Sequence, residues 1–389
     1  MNANAIIHND MNMKTIFVAM TISLPILYSQ NAGAEAKKPA KKTGCTYSFT
    51  TIKANPITSV KNQYLSSTCW CYSALSFLES EDMRINGIKD TTAFPDFSEM
   101  FVIGRSYRDR AVKYVRLDGK LNFGPGSEFD DVMHVVKDYG IVPQDIQPGL
   151  KYTHKFTAPI FMDHKVSKFA KEANRYNKKR LSDSAWIHGV DKIMAPYIGD
   201  CPDTFSVAGK LFTPSSYRDG LGIKPENYVT LTSFAHHPFH SWFALEIPDN
   251  WRWDESYNIT LDELISVLDT AIMKGYTVGW GADVSEKGFK MHDGVAVLPE
   301  GTEVSQASRQ KEFDNKSTTD DHGMQIFGIA ADRDGKKYYM VKNSWGKVGP
   351  YKGIWYVSED YVRMKTIDIM VNKEVMGKSF PSFWVSAVK

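Results

Sequence analysis

The sequence has little cysteine, little net charge and almost no long apolar run. Four cysteines in 389 residues are too few for a disulfide scaffold, where cysteine exceeds about 8% of a short secreted chain. A net charge of +2, from 47 Lys+Arg against 45 Asp+Glu, leaves no whole-chain attraction for nucleic acid or an anionic membrane. Disordered proteins have few aromatics and a large net charge; this chain is 42% hydrophobic and 13% aromatic. No internal repeat or low-complexity block is visible.

The apolar run that stands out is IFVAMTISLPIL, residues 16–27, which follows Lys14 and precedes Ala34-Glu35-Ala36. A positive start, a short apolar stretch and an A-x-A site describe a secretory signal peptide. The run is too short to span a bilayer, which takes about 20 apolar residues. Residues 1–36 are therefore expected to be an export signal, 37–50 a flexible leader, and 51–389 one enzyme-sized domain in the periplasm or the medium.

Within that domain, apolar spacing predicts helices over 68–86, 98–115, 127–139, 162–199 and 260–274. Ser98, Ser127 and Thr260 serve as N-caps, and Gly140 and Gly275 as stops. From 276 onward the pattern turns to short strands, YTVGWGADV, MQIFGIAAD, KYYMVKNSW and GIWYVS. Helices first and strands after argue for an α+β enzyme.

Three segments carry chemistry. In QYLSSTCWCYSALSF, Cys69 stands at a helix start, where unpaired N–H groups and the dipole favour a thiolate nucleophile. In DDHGMQIFGIA, His322 opens an apolar strand, and in VKNSWG, Asn343 ends the next one. An antiparallel pairing brings Asn343 beside His322, so that its amide oxygen orients the imidazole, a nucleophile, base and orienter set. Gln63, six residues before Cys69 (69 − 63), is placed to support an oxyanion together with the Cys69 N–H. Trp70 and Trp345 flank the set, and Trp345 stacked over the His322–Asn343 bond would exclude water from it.

These residues, in this order, resemble the papain-like cysteine peptidases. PDFSEMFV at 95–102, FGPGSEFDDVMHVVKDYGIVP at 123–143 and GYTVGWGADV at 275–284 extend the resemblance through the intervening chain. Within the superfamily the sequence is most similar to the bleomycin hydrolase and bacterial aminopeptidase C group. Cys69 and His322 are 253 residues apart (322 − 69), against about 130–150 in papain and cathepsins. The resemblance implies a two-lobed α+β fold, with Cys69 on a helical left lobe and His322 and Asn343 on an antiparallel β-rich right lobe. A large, mostly helical insertion at about 145–260 decorates that core. It further implies a cysteine peptidase acting on peptide substrates with no cofactor, aminopeptidase action and a hexameric assembly. Endopeptidase action and a non-catalytic peptide-binding role stay open as alternatives. In that group the last residues of the chain enter the cleft and act as a ruler for aminopeptidase cleavage; here the tail, EVMGKSFPSFWVSAVK, looks shorter. Two further departures are Ser67-Thr68, where many relatives have Gly-Arg, and Gly323, where alanine is common.

Other residues have plainer readings. Cys71 is core, and Cys45 and Cys201 either pair or do not. His236, His237 and His240 lack a carboxylate or cysteine at metal spacing, so no metal is expected. The basic run at 175–180 reads as a solvated helix face rather than a nucleic-acid contact. Asn258 and Asn315 open glycosylation-type triplets, a signal of low specificity.

Overall fold

The computed structural model describes residues 47–149, 158–177 and 185–379. The expected export signal, Cys45 and the Trp384–Lys389 tail lie outside the described residues. Cys201 carries a free thiol. No helix among the described residues is long and apolar enough to cross a membrane.

The first half is mostly helical. β1 (Phe49–Ala54) starts inside the stretch expected as leader. It is followed by α1 (Cys69–Ile85), α2 (Glu99–Arg116) and α3 (Phe129–Tyr139), close to where apolar spacing puts them. Ser98 caps α2 by accepting the Phe101 N–H at 3.1 Å. At α3 the cap is Glu128 rather than the expected Ser127. The Ser127 hydroxyl is engaged elsewhere: it donates to Asp131 and accepts from Arg110 and the Trp251 indole. Gly140, at φ +93°, ends α3 where a Cβ would strike the backbone of Pro214. The single helix expected over 162–199 is two, α4 (Ala158–Asn177) and α5 (Ala185–Ile198). Of the basic run, 178–180 lie outside the described residues.

A hairpin, β2 (Phe205–Val207) and β3 (Lys210–Phe212), and α6 (Pro214–Leu221) lead to β4 (Tyr228–Thr232), β5 (Ser241–Ala244) and β6 (Glu255–Asn258). Next come α7 (Leu261–Met273), β7 (Val278–Ala282), β8 (Phe289–Lys290), β9 (Val295–Ala296) and α8 (Gln306–Asp314). The chain then runs through β10 (His322–Asp332), β11 (Lys337–Lys342), β12 (Ile354–Ser358), α9 (Glu359–Lys365) and β13 (Thr366–Asn372). Thr260 caps α7 in a capping box with Glu263. Among the described residues eleven strands form one sheet, in the order β5-β6-β4-β13-β7-β10-β11-β12-β9-β8, with β1 added on β10. β4, β5 and β6 arise from the expected insertion, and β4 pairs with β13 through Val229 and Val371. The insertion therefore extends the sheet as well as adding helices outside it. Asn258 is fully buried and its amide donates to the Phe234, His237 and Pro238 carbonyls, so it is not a glycosylation acceptor.

Among the described residues two large apolar cores result, one among α1 to α5 and one between the sheet and α7, with two smaller clusters beside them, which makes the fold α+β with a helical and a β-rich lobe. α1 lies between them and is buried on every side. Even its acidic residues are inside, and each is partnered: Glu79 accepts from Lys61 and the Phe97 N–H, and Glu81 from Arg84 and Asn372.

The contact of α1 with β10 is polar as well as close. Gln325 of β10, fully buried, accepts from the Ser76 hydroxyl at 2.6 Å. Its amide donates to the Ser76 carbonyl at 3.1 Å, to Ser80 at 2.8 Å and to Thr277 at 3.0 Å. Lys342 of β11 donates to Ser76 and Thr58, and burial pushes its ammonium down to about 8. Gly323 meets the first turn of α1 so closely that a Cβ there would lie 2.7 Å from Ser73 Oγ and 3.3 Å from Trp70 Cα. An alanine at this position has no room while Ser73 keeps its hydroxyl in place. Gln325→Leu should cost about 3 kcal/mol, because it leaves several buried polar groups without partners; urea unfolding measures this, and a loss under about 1 kcal/mol would show that the network is not holding the helix to the strand. Gly323→Ala should cost about 1–3 kcal/mol by overpacking, and Ser73→Ala in the same chain should recover part of that loss in the same experiment.

Candidate active site

Cys69 is the first residue of α1, where backbone N–H groups have no partner within the helix. His322 is the first residue of β10, and Asn343 follows β11, so the antiparallel β10–β11 pairing sets them side by side. His322 Nε2 lies 2.8 Å from Asn343 Oδ1. The same Oδ1 accepts the Ser344 N–H at 2.7 Å, which identifies it as the oxygen of the amide. Nε2 must then carry the hydrogen, which leaves Nδ1 as the basic nitrogen. Trp345 stacks on the His322 ring, 4.6 Å between centroids at 26°, and is held edge-on by Trp355 and Phe289.

Cys69 and His322 line one cleft, together with Trp70, Gly281 and Gly323. Gln63 lies on the loop before α1. The Ser344 hydroxyl donates to its Oε1 and its Nε2 donates to the Ser66 carbonyl at 2.6 Å, so the amide nitrogen faces the loop that leads to Cys69. The Gln63 N–H donates to the Ser344 carbonyl at 2.8 Å, which ties this loop to the segment of Asn343. Trp70 is buried and its indole donates to the Pro125 carbonyl. Each of the six residues singled out in the sequence thus belongs to one connected region.

Burial pushes the Cys69 thiol up to about 11; the Gly323 and Trp70 N–H groups pull it down, and Asp320 and Asp249 push it further up. Burial holds His322 down to about 4, opposed by the Asn343 hydrogen bond and the charge of Asp321. Taken singly, both groups rest neutral, so the helix start does not by itself yield the thiolate expected from the sequence. Proton transfer from Sγ to Nδ1 would create two ions at once, whose attraction offsets the desolvation each would suffer alone.

Carboxylates line the same cleft; from the sequence, Asp320-Asp321 read either as a pair raising the basicity of His322 or as a polar loop, and Glu128, Asp249 and Asp368 had no role. Glu128, Asp249, Asp320 and Asp321 are among its walls, and Asp368 of β13 reaches Gly281 on its floor. The available signal was a carboxylate in an otherwise apolar strand, TIDIMVN. Elsewhere, His236 and His237 both meet Glu246, at 2.9 and 2.7 Å, with ligand atoms all within 4.8 Å. Glu246 thus supplies the carboxylate that was missed in the sequence, and it engages both rings as a hydrogen-bond acceptor. His240 pairs with Glu263.

Most of the chain is similar to curated aminopeptidases. It is 22% identical over 372 residues to aminopeptidase C of Lactococcus lactis subsp. cremoris, covering 82% of this chain and 81% of that protein. It is 20% identical over 363 residues to aminopeptidase E of Lactobacillus helveticus, covering 82% of each. The crystal structure of PepW from Lactobacillus rhamnosis HN001 shares the fold, with a TM-score of 0.66 at 18% identity over 84% of this chain and 82% of that one. Residues 28–384 match the family model described as Peptidase C1-like, and the chain belongs to that cysteine peptidase family.

Proposed function

We propose that this chain hydrolyses peptide amide bonds with Cys69 as nucleophile, His322 as base and acid, and Asn343 as orienter, and that it removes residues from a free amino end. The observation that carries the reading is the 2.8 Å His322–Asn343 bond beneath Trp345, on the cleft that holds Cys69. The aminopeptidase part is supported by the names of the similar proteins.

In this mechanism the Cys69 S–H proton passes to Nδ1 of His322 as Sγ bonds to the scissile carbonyl carbon. The carbonyl π electrons move to oxygen, where the Cys69 N–H and the Gln63 amide support the charge. Collapse breaks the C–N bond, and the imidazolium gives its proton to the leaving amine. A water, deprotonated by the neutral imidazole, then attacks the thioester, and the sulfur leaves as a thiolate that regains its proton. Asn343 keeps Nε2–H engaged throughout, so that Nδ1 stays aimed at the reacting atoms.

Cys69→Ala should lower amide hydrolysis by at least about a thousandfold with an unchanged circular dichroism spectrum, and iodoacetamide should label the wild-type chain at Cys69; normal turnover by the variant would sink the assignment. The base acts only when neutral, so lowering its pKa extends activity to lower pH. The acid limb of kcat/KM should therefore fall near pH 4, and a limb near the usual imidazole value of 6.5 would contradict the environment described. Matched peptides with a free or acetylated amino end separate the two peptidase readings: an aminopeptidase cleaves the free form alone, whereas comparable rates on both indicate an endopeptidase.

A further inference from the structure

The wall of the cleft beside Cys69 carries carboxylates that form no ion pair among the described residues. Glu128, at the start of α3, is nine-tenths buried and lines the cleft. It lies within hydrogen-bonding reach of the Asp320 and Asp368 carboxyls. Asp368 is 2% exposed, and Asp249 closes the group from the segment after β5. Among the described residues none of the four forms an ion pair, although Arg110 lies near enough to Asp249 to be felt by it. With the carboxyls all ionised, Glu128 Oε1 and Asp368 Oδ1 meet no well-placed donor among the described residues, a costly state for buried carboxylate oxygens. The Gly281 N–H lies near the Asp368 carboxylate.

The backbone makes room for this arrangement. A Cβ at Gly281 would collide with Asp368 Oδ1, and one at Gly126 with the Asp249 carboxylate. Both glycines line the cleft, so the carboxylates reach it across bare backbone. The group also works against the chemistry next to it. Burial holds the Cys69 thiol neutral, and Asp320 and Asp249 add to that hold. Burial also pushes Asp320 itself up to about 7 and Glu128 and Asp368 well above the usual carboxylate range, with Asp320 adding to both. Left alone, the carboxyls share protons and discourage a thiolate. A cation seated among them would take up the orphaned oxygens and remove that discouragement.

We propose that the pocket formed by Glu128, Asp320, Asp368 and Asp249 binds a cationic group of the substrate, an ammonium or guanidinium, next to the scissile bond. The inference deepens the peptidase reading and rests on it for the word substrate. Two sources share this chemistry, the free α-amine of the peptide and a lysine or arginine side chain. Selectivity would then be linked to reactivity, because a cationic peptide both fills the pocket and eases thiolate formation, while a neutral peptide does neither.

The test measures binding in the Cys69→Ala chain, so that it does not depend on turnover. Dissociation constants are determined by calorimetry for matched short peptide amides: lysine against norleucine at the first or second residue with the amino end acetylated, and free against acetylated amino ends with norleucine throughout. The cationic member of at least one pair should bind about tenfold or more tightly, as expected of charge-assisted hydrogen bonds. That ratio should fall to threefold or less when Glu128→Gln or Asp368→Asn is added; the two are made separately, so that a folding defect in one leaves the other informative. A preference confined to the acetylated lysine pair identifies a side chain as the cation, and one confined to the free-amine pair identifies the α-amine. Equal affinities within every pair, or a preference that survives both substitutions, would overturn the proposal. Either result stands apart from the peptidase reading itself, which fails only if the wild-type chain hydrolyses no amide and Cys69 resists alkylation.

Discussion

The site depends on how the first turn of α1 meets the first residues of β10. α1 carries Cys69 at its start and β10 carries His322 at its start, so neither residue has a chemical role unless helix and strand are held in one register. Gly323 brings the strand against Trp70 and Ser73, and two residues on Gln325 clasps Ser76, Ser80 and Thr277. Buried polar networks of this kind specify one arrangement because any slip leaves their members without partners.

A second constraint is dielectric. Placing Cys69 and His322 in a half-closed cleft beneath Trp345 excludes water and strengthens the His322–Asn343 bond, but it also disfavours each ion separately. On the proposed mechanism the site forms the two ions together. Its acidic wall, with Glu128, Asp320 and Asp368 sharing a small volume, weighs against the thiolate and leaves carboxylate oxygens unpaired. Local instability of this kind is characteristic of binding sites built for a ligand of opposite charge.

Much of this was legible along the chain. Helices α1, α2, α3 and α7 follow from apolar spacing, with Ser98 and Thr260 as caps, because capping and amphipathic period are local properties. The strands β7, β10, β11 and β12 follow from apolar and β-branched runs. The short strands β4 to β6 were not legible. They are four or five residues long, and what makes them strands is the neighbour each pairs with. Ser127 looked like a cap, but tertiary contacts with Arg110 and Trp251 claim its hydroxyl, and Asn258 looked like a surface acceptor, yet folding buries it. Glu246 stands nine residues past His237 (246 − 237), and a turn between β4 and β5 brings it back.

The sequence by itself determined the identity of the chemical groups. Gln63, Cys69-Trp70, His322 and Asn343 through Trp345 are residue types in an order that few functions require, and no folding detail changes what a thiol, an imidazole or an amide can do. Only the tertiary structure decided their surroundings: which nitrogen of His322 is basic, how far burial moves its proton and that of Cys69, and which carboxylates face them. Those properties come from side chains far apart in sequence, such as Glu128, Asp249 and Asp368. Electrostatic energy in a desolvated cleft depends on distance and dielectric, and neither is written in the order of residues along a chain.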